Sequence, residues 1–104
     1  MNAQMKKGVV ELCILKLIEE KKSSAFEILS KIKTLEVNEN TIYPILRRLK
    51  SDGFLFQEKS QSDVGAPRKY YGLTEEGKRE LELKIHEWYA LVNHVNLIME
   101  GKIS

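Results

Sequence analysis

The stretch Asn40-Thr41-Ile42-Tyr43-Pro44-Ile45-Leu46-Arg47-Arg48-Leu49-Lys50-Ser51-Asp52-Gly53-Phe54-Leu55 decides how this chain folds. Ile42, Ile45, Leu46 and Leu49 recur at i, i+3, i+4 and i+7, which predicts a helix over about residues 40–51 with one apolar face. On such a helix Asn40, Tyr43, Pro44, Arg47, Arg48 and Ser51 point away from that face. Pro44 has no N–H to donate, so it must sit in the first turn or bend the helix there. Gly53 is a natural stop. The aromatic start and partial alternation of residues 54–59 then read as a strand.

Working upstream, residues 5–20 read as a first helix. Its apolar side chains cover most of the circumference, so it is expected to be buried on more than one side, the second surface coming from a partner subunit. After a break at residues 21–23, Ser24-Ala25-Phe26-Glu27 matches a capping box and opens a second helix ending near Thr34. Downstream, residues 60–67 read as a polar loop carrying Asp63, Gly65 and Pro67, of which Gly65 and Pro67 shape the chain. Residues 68–73 read as the returning strand of a hairpin. Thr74 is a good N-cap, with Glu75 and Glu76 at the positive end of a last helix that reaches Glu100, about 40 Å long. Leu81, Ile85, Trp88, Val92, Val95 and Met99 alternate spacings of four and three along it, a heptad seam that calls for a partner.

The expected fold is therefore mainly α with a small two-stranded β-wing: a winged helix-turn-helix over residues 1–74 and a C-terminal dimerisation helix over 75–104, together one compact unit. Its 104 residues suffice to bury a core without metal or disulfides. The single cysteine, Cys13, lies in an apolar run and reads as a buried, reduced thiol, which suits the cytoplasm. No membrane-spanning run and no signal peptide are expected. The net charge of +2 is small, but its distribution is polar. Residues 38–69 carry six Lys or Arg against four Asp or Glu, whereas residues 75–101 carry three against six. The middle of the chain suits a polyanion and its C-terminal part repels one. His86 and His94 lie eight apart with no Cys or Asp at ligand spacing, so no metal or other cofactor is expected. Glycine-rich phosphate loops, nucleophile elbows and paired carboxylates around a cleft are missing, which argues against an enzyme.

In a winged helix-turn-helix the third helix enters the major groove, and the hairpin loop reaches the flanking backbone or minor groove. The segment from Asn40 to Leu49, followed by Gly53-Phe54-Leu55, resembles the recognition-helix signature of PadR-type regulators. Arg68-Lys69-Tyr70-Tyr71-Gly72-Leu73-Thr74-Glu75-Glu76-Gly77 resembles the same family's second wing strand and the start of its last helix. The likeness covers about residues 9–81. The chain departs from the family in two places. It has Ser24-Ala25-Phe26-Glu27 where a His-Gly-Tyr-Glu-like segment is frequent, and Asn40 where a glycine often precedes Thr41. The resemblance implies a homodimeric repressor of the smaller subfamily. Its partner is double-stranded DNA with a near-palindromic operator, and a small aromatic or hydrophobic effector releases it. The alternative is a winged-helix module that binds protein instead of DNA.

Within that frame Arg47 and Arg48 either pair with base or phosphate or line a solvated helix face, Arg47 projecting more squarely outward. Asn40 and Thr41 contact the backbone or cap the helix. Tyr43 offers its hydroxyl to DNA or packs its ring on the scaffold. Lys59, Arg68 and Lys69 charge the wing, whether to hold phosphate or to keep an edge hairpin from aggregating. Trp88 is the only tryptophan and sits on the seam. It is either dimer core or, paired with its symmetry mate, a slot for an aromatic ligand, a use that the resemblance suggests. Leu12, Cys13 and Leu15 from the first helix, with Ile85, Val92 and Val95 from the last, are the expected walls of that interface.

Overall fold

The computed structural model describes residues 3–60 and 68–102, with side chains from residue 8 onward. Helix α1 spans Ala3–Glu20, α2 Ala25–Lys31, α3 Glu39–Ser51 and α4 Glu75–Met99. A 3₁₀ turn at Lys33–Leu35 links α2 to α3, and strands β1 (Leu55–Ser60) and β2 (Arg68–Leu73) stand between α3 and α4. The loop read as carrying Asp63, Gly65 and Pro67 lies outside the described residues. Among the described residues, no helix is long and apolar enough to cross a membrane.

Each junction has a local cause. The capping box at α2 is formed: the Glu27 N–H donates to Ser24 Oγ, and the Ser24 N–H donates to the Glu27 carboxylate, both at 3.2 Å. Helix α2 ends earlier than its apolar spacing implies, because the chain tightens into the 3₁₀ turn and reverses through Glu36 in the left-handed region (φ 55°). The cap of α3 is Asn38, whose Oδ1 accepts the Asn40 N–H at 2.9 Å, so neither Asn40 nor Thr41 serves as the cap. Pro44 stands in the second turn rather than the first. Lacking an N–H, it leaves the outward-facing Asn40 carbonyl without its helical partner. At the other end Gly53 takes φ 84°, and the bonds Phe54 N–H to Leu49 C=O and Gly53 N–H to Lys50 C=O complete a Schellman stop.

The core gathers Val10, Ile14, Leu15 and Ile18 of α1 against Ile28 and Ile32, the stripe Ile42-Ile45-Leu46-Leu49 of α3, Leu55 and Leu81. The apolar face read for α3 is thus the buried one. The strands pair antiparallel, Leu55 opposite Leu73 out to Ser60 opposite Arg68. A further two-way backbone bridge joins Ser23 and Tyr71, 3.1 and 2.8 Å, tying the entry of α2 to the wing. The α3–β1 turn and the β2–α4 junction also meet. Thr74 gives its N–H to the Phe54 carbonyl (3.1 Å) and its hydroxyl to the Gly53 carbonyl (2.6 Å), while its Oγ1 accepts the Gly77 N–H (3.0 Å). Gly77 and Leu81 are buried, so the first two turns of α4 pack on the core formed by the preceding elements. Beyond them Ile85 still packs on the core and Trp88 faces α1, whereas most side chains from residue 89 onward are exposed.

Candidate nucleic-acid interface

The amphipathic period of α3 buries its apolar stripe, and this sets what its remaining surface faces. One flank turns toward the wing: Lys50 Nζ donates to Gln57 Oε1 of β1 (3.0 Å), and Tyr43 shares a cleft with Tyr71, Arg68 and Lys69 of β2. Arg47 is on this flank too, near enough to Tyr71 to affect its phenol. Burial raises the Tyr71 pKa above its ordinary value, Tyr43 adds to the rise and the Arg47 charge opposes it. Asn40 and Thr41 are exposed at the start of the helix. Sequence reasoning therefore placed Asn40, Thr41, Tyr43 and Arg47 on a surface that is exposed in the folded chain.

Arg48 is different. It lies on the opposite flank, where Nη2 donates to Glu11 Oε2 of α1 at 2.6 Å, and the carboxylate raises the guanidinium pKa above its ordinary value. Lys84 of α4 approaches the other Glu11 oxygen at 3.6 Å and Glu80 at 3.7 Å. Arg48 is consequently a strut between α3 and α1, half exposed, rather than a free cation beside Arg47. Glu11, 12% exposed at its side chain, is the residue that the sequence did not single out. Its position in α1 is 37 residues from Arg48 and carries no local signal.

The wing gathers the remaining charge. Lys59 and Lys69 are direct cross-strand partners, and both are exposed. Like charges opposite one another weaken a hairpin by themselves, and an anion would relieve them. Among the described residues, no ion pair engages Arg47, Lys59, Arg68 or Lys69.

The residues read as an interface for a partner or effector are only partly brought together within the chain. Leu12, Cys13, Ile85 and Trp88 line an open groove of about 570 Å³ between α1, the 3₁₀ turn and α4, with Leu35 and Tyr89. Leu15 does not belong to it. That side chain is fully buried in the core, because on α1 it falls on the stripe with Ile14 and Ile18. Val92 and Val95 stand farther out on α4, away from the groove. Cys13 is half-buried rather than buried, and burial raises its thiol pKa above the ordinary value.

The fold has close counterparts. A PadR-like transcriptional regulator from Bacillus cereus superposes with a TM-score of 0.87 at 32% identity over 95% of this chain and 99% of that one. A PadR-like transcription factor from Bacteroides fragilis is 41% identical, with a TM-score of 0.78 over 92% and 95% of the two chains. An uncharacterized protein of Lysinibacillus sphaericus is 30% identical over 100 residues, 91% of this chain and 92% of its own. The model of the transcriptional regulator PadR-like family matches residues 14–83, a span from the core of α1 through α3 and the two strands to the buried turns of α4. The chain belongs to the PadR-like family of transcriptional regulators, a family of DNA-binding proteins and not of enzymes.

Proposed function

We propose that this chain is a homodimeric repressor that binds a near-palindromic operator. Helix α3 would lie in the major groove and the wing on the flanking backbone, and promoter access would be blocked in the cytoplasm. The observation that carries the reading is the set Arg47, Lys59, Arg68 and Lys69, cations left without carboxylate partners among the described residues on and beside the outward flank of α3. Two symmetric copies of that surface require half-sites one helical turn, or a multiple, apart. Residues 1–74, with the first turns of α4 packed on them, form the reading head. The rest of 75–104 is the arm that pairs with its twin. Repression follows the family resemblance. The open groove beside Trp88 supports control by a small aromatic or hydrophobic effector, which acts only by favouring a different spacing of the two recognition helices.

Selection of bound sequences from a random DNA pool at fixed salt tests this. Recovery of a near-palindromic motif supports it, with Arg47→Ala losing the enrichment while keeping the native oligomeric state. Arg48→Ala is expected to lose less, since Glu11 already holds that guanidinium. Weak, salt-sensitive and sequence-blind binding would sink the reading in favour of a winged-helix module that binds protein.

A further inference from the structure

Phe26 is 75% exposed, although it occupies the first turn of a helix whose other apolar residues are packed. Ala25, Ile28, Leu29 and Ile32 follow the i, i+3, i+4, i+7 stripe, and Phe26 falls off it. A lone exposed phenylalanine needs no explanation. This one stands beside Tyr43 and Tyr71 in a cleft of about 490 Å³ whose rim carries Arg68 and Lys69. On its other side a second cleft opens toward Asn38 and Asn40, so the ring is a ridge at the start of the recognition helix. The cleft is also preformed. The capping box fixes the turn that presents Phe26, and the two-way bridge between Ser23 and Tyr71 ties that turn to the wing. An apolar wall with a cationic rim fits a ligand that is apolar on one side and anionic on the other.

We propose that this cleft is a nucleotide subsite. Arg68 and Lys69 hold a backbone phosphate of the operator, and the Phe26 ring packs on the 5-methyl group of a thymine in the adjoining groove. The proposal rests on the DNA-binding reading above and adds a base preference to it. Thymine alone presents that methyl group in the major groove, and an aromatic ring recognises it by apolar contact. The cations contribute affinity without sequence information. Phenylalanine brings no hydroxyl to this place, so the contact discriminates by methyl burial and not by a hydrogen bond.

The test compares wild type and Phe26→Ala on motifs selected from a random pool, then replaces each thymine of the motif by deoxyuridine, which removes the methyl group alone. One thymine-to-deoxyuridine change is expected to weaken wild-type binding roughly fourfold, the worth of one buried methyl, and to leave Phe26→Ala binding unchanged. Phe26→Ala keeps the wild-type salt slope, whereas Lys69→Ala reduces its magnitude by about 0.9 and keeps the base preference. If every deoxyuridine change is silent in the wild type, or if Phe26→Ala selects the same motif with the same thymine sensitivity, the subsite is overturned and DNA binding stands. If wild type selects no motif, both readings fall together. The deoxyuridine arm alters only the DNA, so it does not depend on how the variant folds.

Discussion

At residue 77 a β-carbon would land on the Phe54 carbonyl oxygen and press on Leu73. That oxygen already accepts the Thr74 N–H, so neither side of the contact has room to move. Gly77 therefore lets the first turn of α4 close onto the α3–β1 turn, and Thr74 fastens the same junction with three hydrogen bonds. Gly77→Ala should cost about 1–3 kcal/mol, as overpacking does, and lower the melting temperature by about 4–8 °C for each kcal/mol. Thermal unfolding by circular dichroism measures this directly, and an unchanged midpoint would mean that the turn yields more easily than its hydrogen bonds imply. Gly53-Phe54 and Gly77 were both visible in the sequence as parts of two separate motifs. That Phe54 meets Gly77 was not, because each motif is local and the contact between them is made only by the fold.

At the scale of elements, α3 is held on both flanks. Lys50 reaches Gln57 of β1 on one side, and Arg48 reaches Glu11 of α1, which also meets Lys84 of α4, on the other. Glu11 thereby links the element proposed to read DNA with the element proposed to pair with a second copy. In the proposed complex a DNA phosphate would have to compete with Glu11 for Arg48. Glu11→Gln removes the competitor's charge, so its DNA binding should show a salt slope steeper by about 0.9, and adding Arg48→Ala should return the slope to the wild-type value. Titrations of DNA affinity against salt for the three proteins check this. An unaltered slope in Glu11→Gln would show that Arg48 stays off the phosphates even when released. The loss of stability should be small, about 1 kcal/mol, since Arg48 is half exposed and recovers hydration. Much of this element was legible beforehand, because a strong i, i+3, i+4, i+7 stripe says which side is buried and so which side is free. The pairing of Arg48 was not legible, since a carboxylate 37 residues away leaves no trace in the helix period. The Asn38 cap was missed for a smaller reason: Asn38 and Asn40 are both competent caps, and only the backbone at residue 38, extended rather than helical, separates them.

For the whole molecule, the question is what covers the outer part of α4. Trp88, Leu91, Val95 and Ile98 are 37%, 57%, 39% and 50% exposed, and they recur at spacings of three and four. Together with the rest of the seam read from the sequence they form an apolar stripe: Trp88 and Leu91 share clefts with α1, yet both, like Val95 and Ile98, remain exposed. The outer turns of such a helix gain little from propensity alone and depend on packing. If a second copy supplies that packing, folding and association are one equilibrium, and the midpoint of thermal unfolding must rise with protein concentration. Trp88 is the sole tryptophan, so its fluorescence reports the same event: dilution should expose the ring and shift its emission to longer wavelength. Leu91→Glu places a charge in the centre of the stripe. It should give a monomer that melts at lower temperature without concentration dependence, and that binds a palindromic operator no better than a single half-site. The head should survive in that variant, since Gly77 and Leu81 anchor the start of α4 to the core independently of its outer turns. A wild-type midpoint and emission maximum that ignore concentration across the range where sedimentation reports a monomer would remove the dimer. The operator would then be read by one copy of α3, and its near-palindromic symmetry would have no physical basis.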